Sequence, residues 1–440
     1  MNEKYTLSDR DRACLWHPYT QMKVAPDPIP VVRGEGVWLY TEDGKRLLDG
    51  TSSWWVNIHG HSHPKLNEAL TTQARTLEHV MFAGVTHEPA VELAERLTSI
   101  LPAGLGRIFY SDNGSTAVEA ALKMAYQYWQ NRERRGRREF VALNHAYHGD
   151  TFGAMSVSED SIFTKAFQPL LFNAHRAYSP YCFRCPLGLE RSSCEIDCLQ
   201  GLRRILETQN DSIAAVIVEP MLQGAGGMIV WPKEFLSGVR EICDRYDVLM
   251  IADEVLTGFG RTGRMFACEH AGISPDILCL SKALTGGYLP LAVTAATEKV
   301  YNAFLSDDRT KALFHGHSYT ANPLGCAVAI ASLKLFDEEQ TLQRVQRMEL
   351  QFRARLNRLR AHPLIADVRG IGGVAVMELR TAKGGYLDDI GPNLTREFVK
   401  RGVLLRPMGN ILYFMPPYVI TESEVDWAFD QIGEVLDDIK

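Results

Sequence analysis

Two short runs constrain this chain more than any other feature. Residues 248–251 (Val-Leu-Met-Ile) and Ile277–Leu280 are apolar without interruption. A strand apolar on both faces belongs inside a sheet covered by helices, which is the habit of parallel sheets. Each run is closely followed by an ionisable side chain: Asp253 with Glu254 in the first case, Lys282 in the second. A carboxylate and an amine are thereby carried to the carboxyl edge of an open α/β sheet, where such sheets bind their ligands.

The rest of the chain supports that layout. From about residue 65 to 335 helical and strand patterns alternate, which argues for an α/β fold with a mostly parallel sheet. Strands are expected at 107–110, 140–143, Ile213–Val218, 248–251, Ile277–Leu280 and 291–295. A helix is expected over 115–130, where Ala117, Ala120, Ala121, Met124 and Tyr128 share one face. Past Leu333 a charged helix, 338–359, begins a second, smaller α+β unit containing strands Val374–Leu379 and 411–415. The first 55 residues, with Pro26, Pro28, Pro30 and the turn pair Asp43-Gly44, read as an extended arm and short strands. The expected division is therefore 1–55 as arm and part of the small domain, 56–335 as the large domain, and 336–440 as the C-terminal small domain. No internal repeat or low-complexity segment interrupts it.

Composition removes several classes. The 440 residues carry a net charge of −6, which gives no support to nucleic-acid binding. Met1-Asn2-Glu3-Lys4 leads into Asp9-Arg10-Asp11-Arg12 without an apolar core, so no secretory signal is expected. No apolar run approaches the roughly 20 residues of a membrane helix. Nine cysteines, an odd number over a long chain, suit a reducing cytoplasm better than a disulfide framework.

An Asp and a Lys in one cleft can form an ion pair. They can also hold pyridoxal phosphate, the Lys bonding covalently to its aldehyde and the Asp pairing with the pyridinium nitrogen. Ser111-Asp112-Asn113-Gly114-Ser115 joins a strand to a helix, and such a loop is either a plain N-cap or a phosphate seat of free N–H groups. Asn144-His145-Ala146-Tyr147-His148-Gly149-Asp150 follows another strand, so Tyr147 can stack on a flat cofactor or simply face water. Lys282 precedes Ala283-Leu284-Thr285-Gly286-Gly287, small residues that permit close approach. Gly258-Phe259-Gly260-Arg261-Thr262-Gly263 matches a dinucleotide fingerprint, but two acidic residues separate it from the strand and no helix clearly follows. Cys182, Cys185, Cys194 and Cys198 have a spacing suited to zinc or to free thiols. His59, His61, His63, His315 and His317 have no acidic or thiol neighbour and read as loop histidines.

The runs Ile251-Ala252-Asp253-Glu254-Val255, Gly258 to Gly263 and Ser281-Lys282-Ala283-Leu284-Thr285-Gly286-Gly287 closely resemble class III pyridoxal-phosphate aminotransferases. The likeness extends over essentially the whole chain. It narrows to the branch serving biotin synthesis at Trp16-His17-Pro18-Tyr19-Thr20, Ser52-Ser53-Trp54-Trp55, residues 147–156 and Phe266-Ala267-Cys268-Glu269-His270. The resemblance implies fold type I and a homodimer with active sites at the subunit interface. It also implies amino transfer through pyridoxal phosphate from a donor to 8-amino-7-oxononanoate, giving 7,8-diaminononanoate.

By the same likeness, Lys282 would bond to the cofactor and move the proton at the substrate carbon. Asp253 would keep the ring nitrogen protonated, and Tyr147 would cover the ring. Gly114 and Ser115 would hold the phosphate, joined by His317 and Ser318 of a second subunit. Tyr19, Trp54 and Gly316 would shape the substrate wall, and Arg406 would bind the distal carboxylate. Tyr19 and Trp54 favour S-adenosylmethionine as donor, since an aromatic wall suits adenine. His315-Gly316-His317-Ser318-Tyr319-Thr320 instead resembles a branch that uses lysine, so that donor stays open, as does another class III ω-aminotransferase activity.

Overall fold

The computed structural model describes residues 5–439. Its centre is a seven-stranded sheet in the order Leu105–Ser111, Ala292–Thr297, Ile277–Leu280, Leu249–Asp253, Ile213–Val218, Glu139–Leu143 and His175–Ala177. All strands run the same way except Ala292–Thr297, which is antiparallel to both neighbours. This is the α/β architecture with a mostly parallel sheet that the apolar runs imply.

Alternation explains why the central strands read as continuous apolar runs. Leu249 and Ile251 pack on helix Gly114–Asn131 through Ala117, Ala121 and Tyr128. Val248 and Met250 face the other way, onto the layer holding Leu202, Phe235 and Val239 of helices Leu199–Gln209 and Lys233–Arg245. Both faces are therefore covered, and each such side chain contributes roughly 1.5–3 kcal/mol by leaving water. In the parallel pair of the two central strands Asp253 lies opposite Cys279, so Asp253 and Lys282 emerge together at the carboxyl edge.

A second, antiparallel sheet joins Ile365–Ile371, Val374–Leu379 and Ile411–Phe414. Helix Thr341–Leu359 packs on it through Val345, Met348, Phe352 and Leu356, and Phe352 meets Phe414 and Phe429 at ring distances of 5.5 and 5.6 Å. Near the N-terminus Val31–Glu35, Trp38–Thr41 and Arg46–Asp49 form a meander, to which Val403–Leu404 adds in parallel.

Three local readings differ from the sequence expectation. The arm contains a helix, Leu7–Cys14, whose N-terminus is closed by a Thr6–Asp9 capping box. The charged helix begins at Thr341, because Gln340 adopts a left-handed conformation that breaks it from the preceding helix. The edge strand His175–Ala177 is too short to show a period.

Gly258 to Gly263 form a turn whose Arg261 is buried 4.8 Å above the Tyr418 ring, while Tyr418 donates to Phe259 O at 3.0 Å. The segment clamps the large sheet to the C-terminal unit and presents no phosphate-binding helix. No helix among the described residues is long and apolar enough to cross a membrane.

Candidate active site

Two connected cavities open at the carboxyl edge of the large sheet. The first, of about 680 Å³, is lined by Gly114, Ser115, Tyr147, Asp253 and Lys282. The second, of about 310 Å³, is lined by Tyr19, Trp54, Phe163, Tyr386, Arg406 and Tyr413. Lys282, Tyr147 and Trp55 line both, so the lysine stands where the two meet.

Lys282 sits just after its strand with a left-handed φ of 30° and its Nζ 5.1 Å from the centre of the Trp55 ring. Burial pushes its amine down, only partly offset by the charges of Asp253 and Glu219. An amine so placed is more readily neutral, and hence nucleophilic and basic, than one in water. Asp253 is held from both sides: Oδ2 lies 2.7 Å from His148 Nδ1, and Oδ1 accepts from Val255 N at 3.1 Å. Glu219, at the end of the strand Ile213–Val218, accepts from Tyr147 N and Gly224 N at 3.0 Å each. Burial, reinforced by the charge of Asp253, pushes its carboxyl up to about 7.

Helix Gly114–Asn131 points its N-terminus at the first cavity, capped by Asn113, whose side chain accepts from Thr116 N at 3.1 Å. Ser115 Oγ bonds Thr151 Oγ1 at 2.8 Å and accepts from Thr151 N at 3.0 Å. A Cβ on Gly114 would lie 2.5 Å from Val255, so only glycine lets the helix start this close to the Asp253 strand.

The aromatic wall is continuous. Tyr19 stands edge-on to Trp54 and to Phe163, at 5.5 and 5.7 Å, and its hydroxyl reaches Tyr147 at 3.1 Å and Asp150. Burial, with help from Asp150, pushes the Tyr19 phenol up to about 12, so it is a neutral donor at working pH. Arg406 lies 4.7 Å above the Trp54 ring. Trp54 belongs to four consecutive left-handed residues, Ser52 to Trp55, a costly path for non-glycine residues. Asp49 holds that path by accepting from Ser53 N at 3.0 Å and Ser53 Oγ at 2.7 Å, and it is itself paired with His61 at 3.0 Å.

Of the residues singled out from sequence, Gly114, Ser115, Tyr147, Asp253 and Lys282 share one cavity, and Tyr19, Trp54, Tyr147, Lys282 and Arg406 share the other. Gly316, His317 and Ser318 line neither cavity of their own chain; His317 Nδ1 lies 4.0 Å from Asp112. Sequence reasoning missed Trp55, His148, Glu219, Phe163 and Tyr386. Glu219 was within reach of the rule that found Asp253, since it also closes an apolar strand. His59, His61 and His63 bond Ser332, Asp49 and Glu339, as structural loop histidines do. Cys182, Cys185, Cys194 and Cys198 line one small pocket, with Cys198 pushed up to about 12 by burial. Among the described residues no group of three His, Cys, Asp or Glu side chains is placed to hold a metal ion.

The family model for class-III aminotransferases matches residues 19–436. The chain belongs to that family. This aminotransferase is 48% identical to the adenosylmethionine-8-amino-7-oxononanoate aminotransferase of Geobacter sulfurreducens, over 98% of its own length and 97% of the relative's. The crystal structure of the enzyme of that name from Methanocaldococcus jannaschii superposes with a TM-score of 0.91 at 38% identity, covering 97% of this chain and 98% of the other. An omega transaminase from Pseudomonas jessenii, solved in complex with PMP, gives 0.93 at 30% identity over 99% and 98% of the two chains.

The donor set fits a phosphorylated pyridine aldehyde. A buried amine suits the aldehyde, a carboxylate suits the ring nitrogen, and a helix N-terminus with a hydroxyl suits the phosphate, all around one cavity large enough for the group.

Proposed function

We propose that this aminotransferase works in biotin synthesis, moving the amino group of S-adenosylmethionine to the 7-keto carbon of 8-amino-7-oxononanoate to give 7,8-diaminononanoate. The observation that carries the reading is Arg406, a planar cation held over Trp54 in the aromatic cavity that opens onto Lys282. A long keto acid needs its ketone at the lysine and its carboxylate on such a fork, which binds it bidentately. The names of the relatives that match over nearly the whole chain support the same substrates.

Pyridoxal phosphate, when bound, supplies the electron sink that lets the amino group leave one carbon and join another. Lys282 Nζ would hold the group at its aldehyde carbon, and as a free amine would carry the proton to and from the substrate carbon. Asp253 holds the proton on the ring nitrogen, and His148 fixes the orientation of Asp253 through the 2.7 Å contact. Ser115 and the free N–H groups around Gly114 hold the phosphate, and Tyr147 covers the ring. The aromatic residues Tyr19 and Trp54 receive the donor's adenine and exclude water.

A second copy of the chain completes the site with Gly316, His317 and Ser318, in a cytoplasmic homodimer. The domain division at residues 55 and 335 belongs to this same reading.

One experiment tests the assignment. The cofactor-loaded protein is mixed with S-adenosylmethionine and, separately, with lysine, while the cofactor's absorbance is followed. Loss of the band with S-adenosylmethionine, its return on adding 8-amino-7-oxononanoate, and no response from Lys282→Ala are the expected results. A response to lysine alone would replace the donor, and a normally active Lys282→Ala would remove the mechanism. Sedimentation of the same sample should show a dimer; a fully active monomer would refute the shared site.

A further inference from the structure

Tyr386 closes part of the second cavity in a way that the roles above do not use. It comes from the loop between strand Val374–Leu379 and helix Ile390–Lys400. Its ring meets Phe163 edge-on at 4.8 Å and 75°, and its hydroxyl accepts from Arg406 Nη2 at 3.4 Å. Arg406 is thus held on two sides, by the face of Trp54 and by a phenol oxygen.

The loop that delivers Tyr386 is firmly seated. Gly385 N donates to Asn410 Oδ1 at 3.0 Å, and Gly384 N donates to Asp388 Oδ2 at 3.0 Å. Gly409, at φ 59°, lets the two segments touch: a Cβ there would lie 1.7 Å from Gly385 O. Asn410 in turn donates to Leu379 O at 3.0 Å, tying the loop to the end of its own strand. The contact between Tyr386 and Arg406 is therefore set by backbone anchors on both sides.

We propose that Tyr386 is a positioning residue for the acceptor: it presets Arg406 for a terminal carboxylate, and with Phe163 it closes the aromatic sleeve around the acceptor's apolar chain. The inference rests on the assignment of Arg406 to a carboxylate and names the residue that makes that contact selective. A free arginine samples many rotamers and loses that freedom when it binds. Fixing the guanidinium beforehand reduces what binding must order, which lowers KM for acceptors with the carboxylate and leaves others unaffected.

The test compares Tyr386→Phe, which keeps the ring and loses the hydroxyl, with the unaltered enzyme on two acceptors. One is 8-amino-7-oxononanoate, and the other has the same chain length but ends in a methyl group. The expected result is a rise of about 5-fold in KM for the carboxylate acceptor, as for the loss of one ordinary hydrogen bond. The donor half-reaction, kcat and KM for the methyl-ended acceptor should stay within about two-fold, inside the usual scatter of such measurements. An equal rise for both acceptors would mean a merely structural role, and no rise for either would mean no role; both overturn the proposal. Arg406→Lys separates this outcome from failure of the underlying assignment. If that variant also leaves the carboxylate acceptor's KM unchanged, the carboxylate does not sit on Arg406 at all. If it raises KM while Tyr386→Phe does not, only the part given to Tyr386 fails.

Discussion

Asp253 reaches the cavity through strand register, and two hydrogen bonds then leave its carboxylate little freedom. Asp253→Asn keeps the shape and loses the charge. The donor half-reaction should slow by about 10²–10³-fold, the scale for removing one preorganised electrostatic group. The cofactor should stay bound by its absorbance, because Ser115 and the Gly114 helix end are untouched. A variant reacting at the original rate would sink the part given to this carboxylate. Asp253 and Lys282 were legible because each ends an apolar run, and Glu219 obeys the same logic. Trp55, Phe163 and Tyr386 were not. They lie outside periodic segments, and only tertiary contacts bring Phe163 and Tyr386 edge to edge.

Among the strands, Val374–Leu379 was readable with its observed bounds, but its charged member was not interpretable from pattern alone. Glu378 is buried and bonded by Tyr181, by Arg184 Nε at 3.0 Å and by Arg369 Nη1 at 3.0 Å. Burial raises its carboxyl, but hydrogen bonds from Tyr181 and Arg184 and the charge of Arg369 outweigh it, and the group is held below its ordinary 4.5. A depressed acid stabilises the fold above the unfolded value and loses that contribution as pH falls through the folded one. Glu378→Gln should therefore cost about 3 kcal/mol at pH 7, the scale for breaking a buried charge pair. Thermal unfolding should show the gap between the two proteins narrowing below pH 4.5; an equal gap at both pH values would contradict the pairing. Direction was a subtler matter for Ala292–Thr297. The short stretch 281–291 has no room for a crossover helix, so the chain returns antiparallel, a constraint that strand propensity does not express.

Taken whole, the molecule gathers its cavities from distant stretches, among them Tyr19 and Trp54 near the start, Lys282 just beyond its strand of the large sheet, and Arg406 and Tyr413 near the end. The α/β class was legible because apolar runs and their spacing are local properties. The convergence was not, because it depends on pairings such as Arg46–Asp49 with Val403–Leu404. The left-handed path from Ser52 to Trp55 carries that dependence furthest, since Ser52 Oγ donates to Met415 O at 2.7 Å across 363 positions of sequence. During synthesis the chain emerges from its N-terminus, and the large sheet is complete in sequence long before Met415 appears. The tryptophan wall has no such partner until nearly the last residues leave the ribosome. A nascent chain thus carries its lysine, its carboxylate and its phosphate seat through the whole stretch from Lys282 to Met415 without a finished pocket, and the enzyme can begin to discriminate among substrates only at the close of its own manufacture.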